Sequence, residues 1–446
     1  MPLTVYVFGV AEPQAKKEST GVQMTVQEQA EKLVQKLQLE QPVVMERDRR
    51  YRGDQPLRFH VDEIDNKDLQ TFSVNICRLA VNAVAERMKV KKVTAKANGV
   101  DVSDRMESYW DSLGMDQRLQ SAIVDALAVG SAYLIVWGAK GNRPTITVES
   151  AEQVTVSRDP ITSEVTGAVK RWFEHDHQGI MVDEHVIFYG PDEITRMARD
   201  EAGGLKIVRK VDNPLGVVPV VPLINLDRVT DDRGYSVVDD LGPLVDALSK
   251  ILADMLTASE HVARPKRWAT GVALEEGGDG FTADGGALEE EPERVRNPFE
   301  DSYRMWISES DAAKFGQLPG GDLNGYKTAV DVVMQQIMAT SALPAHMVGI
   351  TSSNPSSADA IRSAEASITA RAESRARVLT MAIEYAVILM VSVDQGVPVS
   401  QCEAWIQWGS FATRSQAQEA DAVTKLHSLG IITTEEARQA VGVDGL

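Results

Sequence analysis

Two stretches of this chain hold residue types that chemistry can use. In "EHDH", His175 and His177 stand two apart, on one face of a strand by the period of two, and the next strand offers Asp183 and His185. Three imidazoles gathered from adjacent strands make a site for zinc or a similar ion, the centre a metal-dependent hydrolase needs. The plainer alternative, which these residues favour, is a solvated strand face beside the Gln178-Gly179 turn. The other stretch is "ITSSNPSSADAIR", residues 350–362, where hydroxyl and amide side chains lead past Pro355 into a helix. Such groups make neutral, readily exchanged hydrogen bonds of roughly 0.5–1.5 kcal/mol each, which suits transient contact more than catalysis.

Other chemistries are excluded by spacing. There is no G-x-x-x-x-G-K-[ST] loop, no G-x-S-x-G elbow and no H-E-x-x-H helix, and the glycine pairs do not lead from a strand into a helix. "DGFTAD" has the outline of a calcium loop, but Phe281 and Ala283 occupy positions that need oxygen ligands. A net charge of −19 argues against a protein that grips nucleic acid, since grip comes from cations that neutralise phosphates; it is compatible with one that touches DNA without holding it. Cys77 and Cys402 lack metal-type spacing and read as reduced and buried. The N-terminus lacks the basic start of a signal peptide. The apolar run from Leu379 to Val393 contains Glu384 and falls short of the roughly 18 residues of a spanning helix, so no membrane segment is expected.

The elements that must carry these residues follow from periodicity. Apolar positions at Val26, Ala30, Leu33, Val34 and Leu37 predict a helix that Pro42 ends, and the spacing in Phe72–Met88 predicts another. Ser103 is a candidate N-cap for a third helix, and a more apolar helix after Gly114 runs into the strand "SAYLIVWG". Alternating segments between Pro144 and Asn225 predict an antiparallel β region, closed by the proline-rich "NPLGVVPVVPLIN". Ser236 and Asp239 have capping-box spacing, with Gly242-Pro243 restarting a rod whose stripe is Leu244, Leu248, Ile251, Leu252, Met255 and Ser259. A second rod, from Leu323 to Ala342, shows Tyr326, Val330, Val333, Ile337 and Ser341 on one face. Between the rods lies an acidic insert with a charge of −8 from Glu275 to Asp301. After the polar stretch, a helix of about 38 residues, roughly 57 Å long, is predicted to begin near Ser357. Its Ala-rich first half suits close packing on a neighbouring surface. Two short helices separated by Gly430 end the chain.

In this order the pieces resemble the portal proteins of tailed bacteriophages, most closely those of siphophages of actinobacteria. The likeness is carried by "YRGDQPLRF" (51–59), "NICRLAVNAVAERM" (75–88), "DALAVGSAYLIVW" (125–137), "NPLGVVPVVPLIN" (213–225) and "DLGPLVDALSKILADMLTASEHVARPKRWATG" (240–271). "FGQLPGGDL" (315–323) and "TSALPAHMVG" followed by "SSNPSSADAIRSAEA" (340–366) complete it.

The resemblance implies an α+β, mainly helical portal fold: a flexible arm at 1–24, a wing at 25–238 and a first stem helix at 239–263. A clip at 264–318, a second stem helix at 319–342 and a tunnel loop at 343–357 would follow. A long kinked wing helix at 358–396 and a helical crown-like segment at 397–446 would close the chain. It implies a homo-dodecameric ring in the virion, at the capsid portal vertex, assembled in the host bacterial cytoplasm, with no enzymatic activity and no cofactor. Double-stranded DNA would pass through it without sequence specificity. Its partners would be the terminase large subunit, a head-tail adaptor, the major capsid protein and scaffold.

Ile350, Thr351, Ser352, Ser353, Asn354, Ser356, Ser357 and Arg362 would face the DNA, with Arg362 alternatively paired to a neighbouring acid. Glu275, Glu276, Asp279, Asp284, Glu289, Glu290 and Glu291 would serve partner docking at the clip. Two other identities compete: a hydrolase built on His175, His177 and His185, and a different virion connector or adaptor, against which the lack of sustained heptads speaks.

Overall fold

The computed structural model describes residues 24–57, 74–138, 143–200, 203–230, 233–263, 267–270, 312–317, 323–349, 358–412, 416–434 and 437–438. These fall into two compact units, one within Met1–Gly53, Asn75–Asp240 and Ser341–Leu446, the other within Asp54–Val74 and Leu241–Thr340.

The first unit opens with α1 (Val26–Arg52), started by a reciprocal capping box: the Glu28 amide donates to the Thr25 hydroxyl at 3.2 Å, and the Thr25 amide donates to the Glu28 carboxylate at 2.7 Å. Gly53, at φ 81, supplies the left-handed C-cap. The sequence predicted a stop at Pro42, yet α1 runs ten residues past it. A helix-interior proline costs about 3 kcal/mol, and tertiary contacts offset it here. Val44 and Arg50 are buried beyond it, and Arg47 donates to the Val129 carbonyl at 2.7 Å and pairs with Asp239 at 2.6 Å.

Next come α2 (Ile76–Ala85), capped by Asn75, then β1 (Val90–Ala97), β2 (Val100–Asp101) and α3 (Ser103–Ser112). Ser103 does not cap α3 as predicted. Val102 is the N-cap instead, and the Ser103 hydroxyl accepts from the Ala95 amide at 3.0 Å and donates to the Ala95 carbonyl at 3.4 Å, fastening the helix to β1. The apolar α4 (Met115–Val129) turns at Gly130 into β3 (Ser131–Gly138), and Ala132 to Val136 are all buried.

The predicted antiparallel region is present as β4 (Pro144–Ser150), β5 (Val154–Arg158), β6 (Val165–His175), β7 (Met181–Tyr189), β8 (Glu193–Arg199), β9 (Leu205–Asp212) and β10 (Val220–Ile224). Strands β5 to β9 form one sheet in sequence order, and β10-β3-β4 form another. Pro222 lies in β10, an edge strand, where a missing backbone donor is tolerated. Ala30, Leu33 and Val34 of α1 pack on Val169, Val186, Phe188 and Met197, so the helix covers one face of the five-stranded sheet.

The helix α5 (Val237–Ala263) runs through Pro243 without restarting. Its capping box is half formed. The Ser236 hydroxyl accepts from the Val238 amide at 3.0 Å, but the Asp239 carboxylate is drawn to Arg47. In the second unit Leu241, Val245, Leu248 and Ala253 of α5 are buried. The stripe is therefore rotated from the predicted one, and Ser259 is exposed.

There β11 (Arg267–Thr270) pairs antiparallel with β12 (Lys314–Gln317), placing Thr270 opposite Lys314. The chain between them departs and returns at one point. α6 (Asn324–Ser341) buries Ile337 and Ser341 and half-buries Tyr326, Val330 and Val333, the predicted face.

Back in the first unit, α7 (Ala358–Gln395) is continuous over 38 residues. Its span from Ala360 has the length and apolarity of a membrane-crossing helix, but Ile383, Val387, Leu389 and Met390 are buried in the protein's own core.

The segment from 397 on, expected to be helical, contains β13 (Cys402–Trp408) before α8 (Gln416–Ser428). Cys402 and Ala404 point inward and Glu403 and Trp405 outward, a strand period, and β13 pairs with β1 across the whole chain. Cys77 and Cys402 are free and buried.

One partly buried group carries a pH prediction. Asp125 of α4 has its carboxyl pushed up to about 6, first by burial and then by Asp48 and Glu152. The folded state therefore holds a proton there that the unfolded state releases near 4, and stability falls as pH rises from about 4 through 6. At pH 7.5 Asp125→Asn is expected to be more stable than the parent by about 3 kcal/mol and so to melt at a higher temperature, with the gap closing by pH 4 in thermal melts.

Candidate functional site

Residues Ile350, Thr351, Ser352, Ser353, Asn354, Ser356 and Ser357 lie outside the described residues, as do Glu275, Glu276, Asp279, Asp284, Glu289, Glu290 and Glu291. Both flanks of the first group are described, and they show how it is mounted. On the near side a single 3-10 turn, Ala345–Val348, ends at Gly349 with φ 76. On the far side α7 begins, and Arg362 is exposed one turn inside it.

Three residues later the helix face turns inward. Glu365, 7% exposed, receives Arg87 Nη2 at 3.0 Å from just past the end of α2, and His346 Nε2 of the 3-10 turn lies 3.3 Å from its other oxygen. Arg87 also donates to the Ala83 carbonyl at 2.9 Å. One buried carboxylate thus ties together the chain before residues 350–357, the helix after them, and the end of α2.

Sequence spacing placed Arg87 on a helix face and missed this brace, because the bond to Glu365 spans 278 positions. Glu365 is one of three acids, with Asp359 and Glu373, in the Ala-rich half of α7, and nothing in the linear order singles it out as the partner of Arg87.

A second clamp holds α7 further along. Arg375 pairs with Asp227 at 2.7 Å, donates to the Leu226 carbonyl at 3.2 Å and lies 4.9 Å over the Tyr235 ring. Tyr235 in turn donates to Asp240 at 2.7 Å, and burial, with that acid, raises its phenol well above the ordinary range. These contacts fasten the helix to the segment that enters α5.

The three predicted imidazoles do not converge. A bulge between Glu174 and His175 slips the β6–β7 register, so His175 pairs with Met181 while His185 sits opposite Trp172 with ring centroids 5.1 Å apart. Among the described residues the one metal-like group is Glu174, Asp183 and His185, with ligand atoms within 4.8 Å of one another. It contains neither His175 nor His177. Histidine ligands are normally oriented by a hydrogen bond from the second ring nitrogen, and here Nδ1 of His185 is buried without a partner. Nε2 lies 3.1 Å from Glu174, which accounts for the cluster as a surface contact. It is not a hydrolase centre.

The chain can be compared with known proteins on this footing. Portal proteins of Mycobacterium phages D29 and L5 are 28% and 27% identical to it over 382 and 380 residues, covering 82% of this chain and 75% of each relative. A chain from the virion of a native gene transfer agent particle aligns over 90% of this chain and 93% of its own, at 15% identity and a TM-score of 0.44. A chain from the neck of the native particle aligns over 90% and 98%, at 15% identity and a TM-score of 0.42. The family model described as phage portal protein, SPP1 Gp6-like, matches residues 30–445, and with nearly the whole chain inside that match the protein belongs to the phage portal protein family.

Proposed function

We propose that the chain assembles into a homo-dodecameric ring at one capsid vertex, through which double-stranded DNA is packaged and later ejected. The ring also docks the packaging terminase and then the head-tail adaptors. The observation that carries this is the family match over residues 30–445. The wing, stem, clip, tunnel-loop and crown boundaries expected from the sequence are part of the same proposal. Electron microscopy of the purified chain is expected to show closed rings with a duplex-sized bore; a monomer at all concentrations would overturn it.

In this ring residues 350–357 contact the passing duplex, and their mounting supports that role. A moving contact needs a stiff base, and the Glu365 brace holds both flanks. Ser352, Ser353 and Asn354 touch phosphates through neutral, exchangeable bonds, and Arg362, exposed one turn inside α7, adds a charged contact to the same backbone in this reading. A net charge of −19 per subunit keeps the duplex from being trapped wherever acids face the bore, within the screening length of about 8 Å. Replacing Ser352, Ser353 and Asn354 by lysine is expected to leave rings intact and slow translocation by about tenfold, the cost of roughly 1.4 kcal/mol of added grip. Unchanged rates in a single-particle packaging assay would remove these residues from the channel.

A further inference from the structure

The face of the five-stranded sheet that α1 leaves uncovered is opposed by the β3–β4 sheet, and the two enclose a cleft of about 820 Å³. That lies inside the usual range of roughly 300–1,000 Å³ for ligand sites. The cross-strand registers order its floor. Lys170, Ile187, Arg196 and Arg209 are successive partners across β6, β7, β8 and β9, so they form one row on the cleft face.

Lys170 is neutralised by Glu149 of β4 at 2.7 Å, with both side chains largely buried. Arg196 and Arg209 stand directly opposite each other, and among the described residues no carboxylate pairs with either. Like charges directly opposite weaken a sheet, and a missing anion would resolve that conflict. Apolar surface flanks the pair. Trp172 sits one row away, with Arg196 5.8 Å and Lys170 6.0 Å from its ring centre, and Trp137 lines the cleft from β3.

We propose that this cleft docks an acidic peptide segment of a partner protein, its carboxylates on Arg196 and Arg209 and an apolar side chain against Trp172 and Trp137. Both walls are sheet faces whose amides are committed to strand ladders, so an anion here is held by side chains. The guanidinium fork matches a carboxylate in two parallel bonds. The aromatic flanks give a peptide side chain somewhere to bury, which inorganic phosphate does not need. Neither the bore nor the segment at 350–357 takes part, and the site stands whether or not the ring forms.

The test uses the full chain and a fluorescein-labelled decapeptide that alternates Asp or Glu with Phe or Leu, read by anisotropy. The controls are the same peptide with Lys at the acidic positions, AMP and inorganic phosphate. The acidic peptide is expected to bind, to quench Trp172, and to weaken at least about tenfold, or 1.4 kcal/mol, in Arg196→Glu and in Arg209→Glu. Both variants should melt at or above the parent's temperature, since each places opposite charges across the strands, with Arg196→Gln and Arg209→Gln as milder substitutes if either fails to fold. The proposal is overturned if the acidic peptide binds no tighter than the lysine peptide, if the arginine variants bind it unchanged, or if AMP or phosphate occupies the cleft and the peptide does not.

Discussion

Glu365→Ala is expected to destabilise the first unit by about 3–5 kcal/mol, the cost of leaving a buried arginine without its counter-charge. Arg87 is 11% exposed at its side chain and Glu365 9%, so little water is available to replace the lost partner. For a unit of this size the loss corresponds to a melting temperature lower by roughly 4–7 °C. Removing the charge without removing its partner is what costs most. Pairing Glu365→Ala with Arg87→Met should therefore recover much of the stability in a double-mutant cycle.

The same substitution releases His346, and with it the turn that leads into residues 350–357. Under the proposed function, Glu365→Ala rings that still close should package DNA more slowly than the parent, because the contact segment has lost its fixed base. A melting temperature unchanged by Glu365→Ala would mean that the brace does not hold the helix.

Deleting Glu275 to Glu291 should leave ring assembly intact and weaken binding of the terminase large subunit and the adaptor by at least about a hundredfold, or roughly 2.7 kcal/mol. The β11–β12 pair supports the first half of this expectation. Since Thr270 and Lys314 lie opposite each other, shortening the excursion between them leaves both strands able to pair. The second half rests on the charge of the insert, −8 from Glu275 to Asp301, which a basic docking face would read. Ring formation is checked by negative-stain microscopy, and docking by surface binding at two salt concentrations. Retained docking would move the partner surface elsewhere on the chain.

The local parts of this protein were legible before the fold was known. Thr25 with Glu28 is a capping box in sequence and in space, and the alternation from Pro144 to Asn225 is an antiparallel region in both. The 38-residue helix was legible from its start after Pro355 and its Ala-rich composition. Where local rules failed, a distant contact outweighed them. Arg47 and buried Val44 carry α1 past Pro42, and the long-range pairing with β1 makes a strand of Cys402–Trp408.

The sequence alone carried the family as a resemblance in its quoted segments, and it carried most of the elements, because periodicity, caps and turns depend on residues a few positions apart. Only the tertiary structure decided which charges meet. Glu365 finds Arg87 and His346, His185 falls away from His175, and Arg196 faces Arg209. Each of these depends on strand register or on helices packed from remote parts of the chain. The strength of a charge pair is set by the water that such packing removes, and linear spacing carries no record of that.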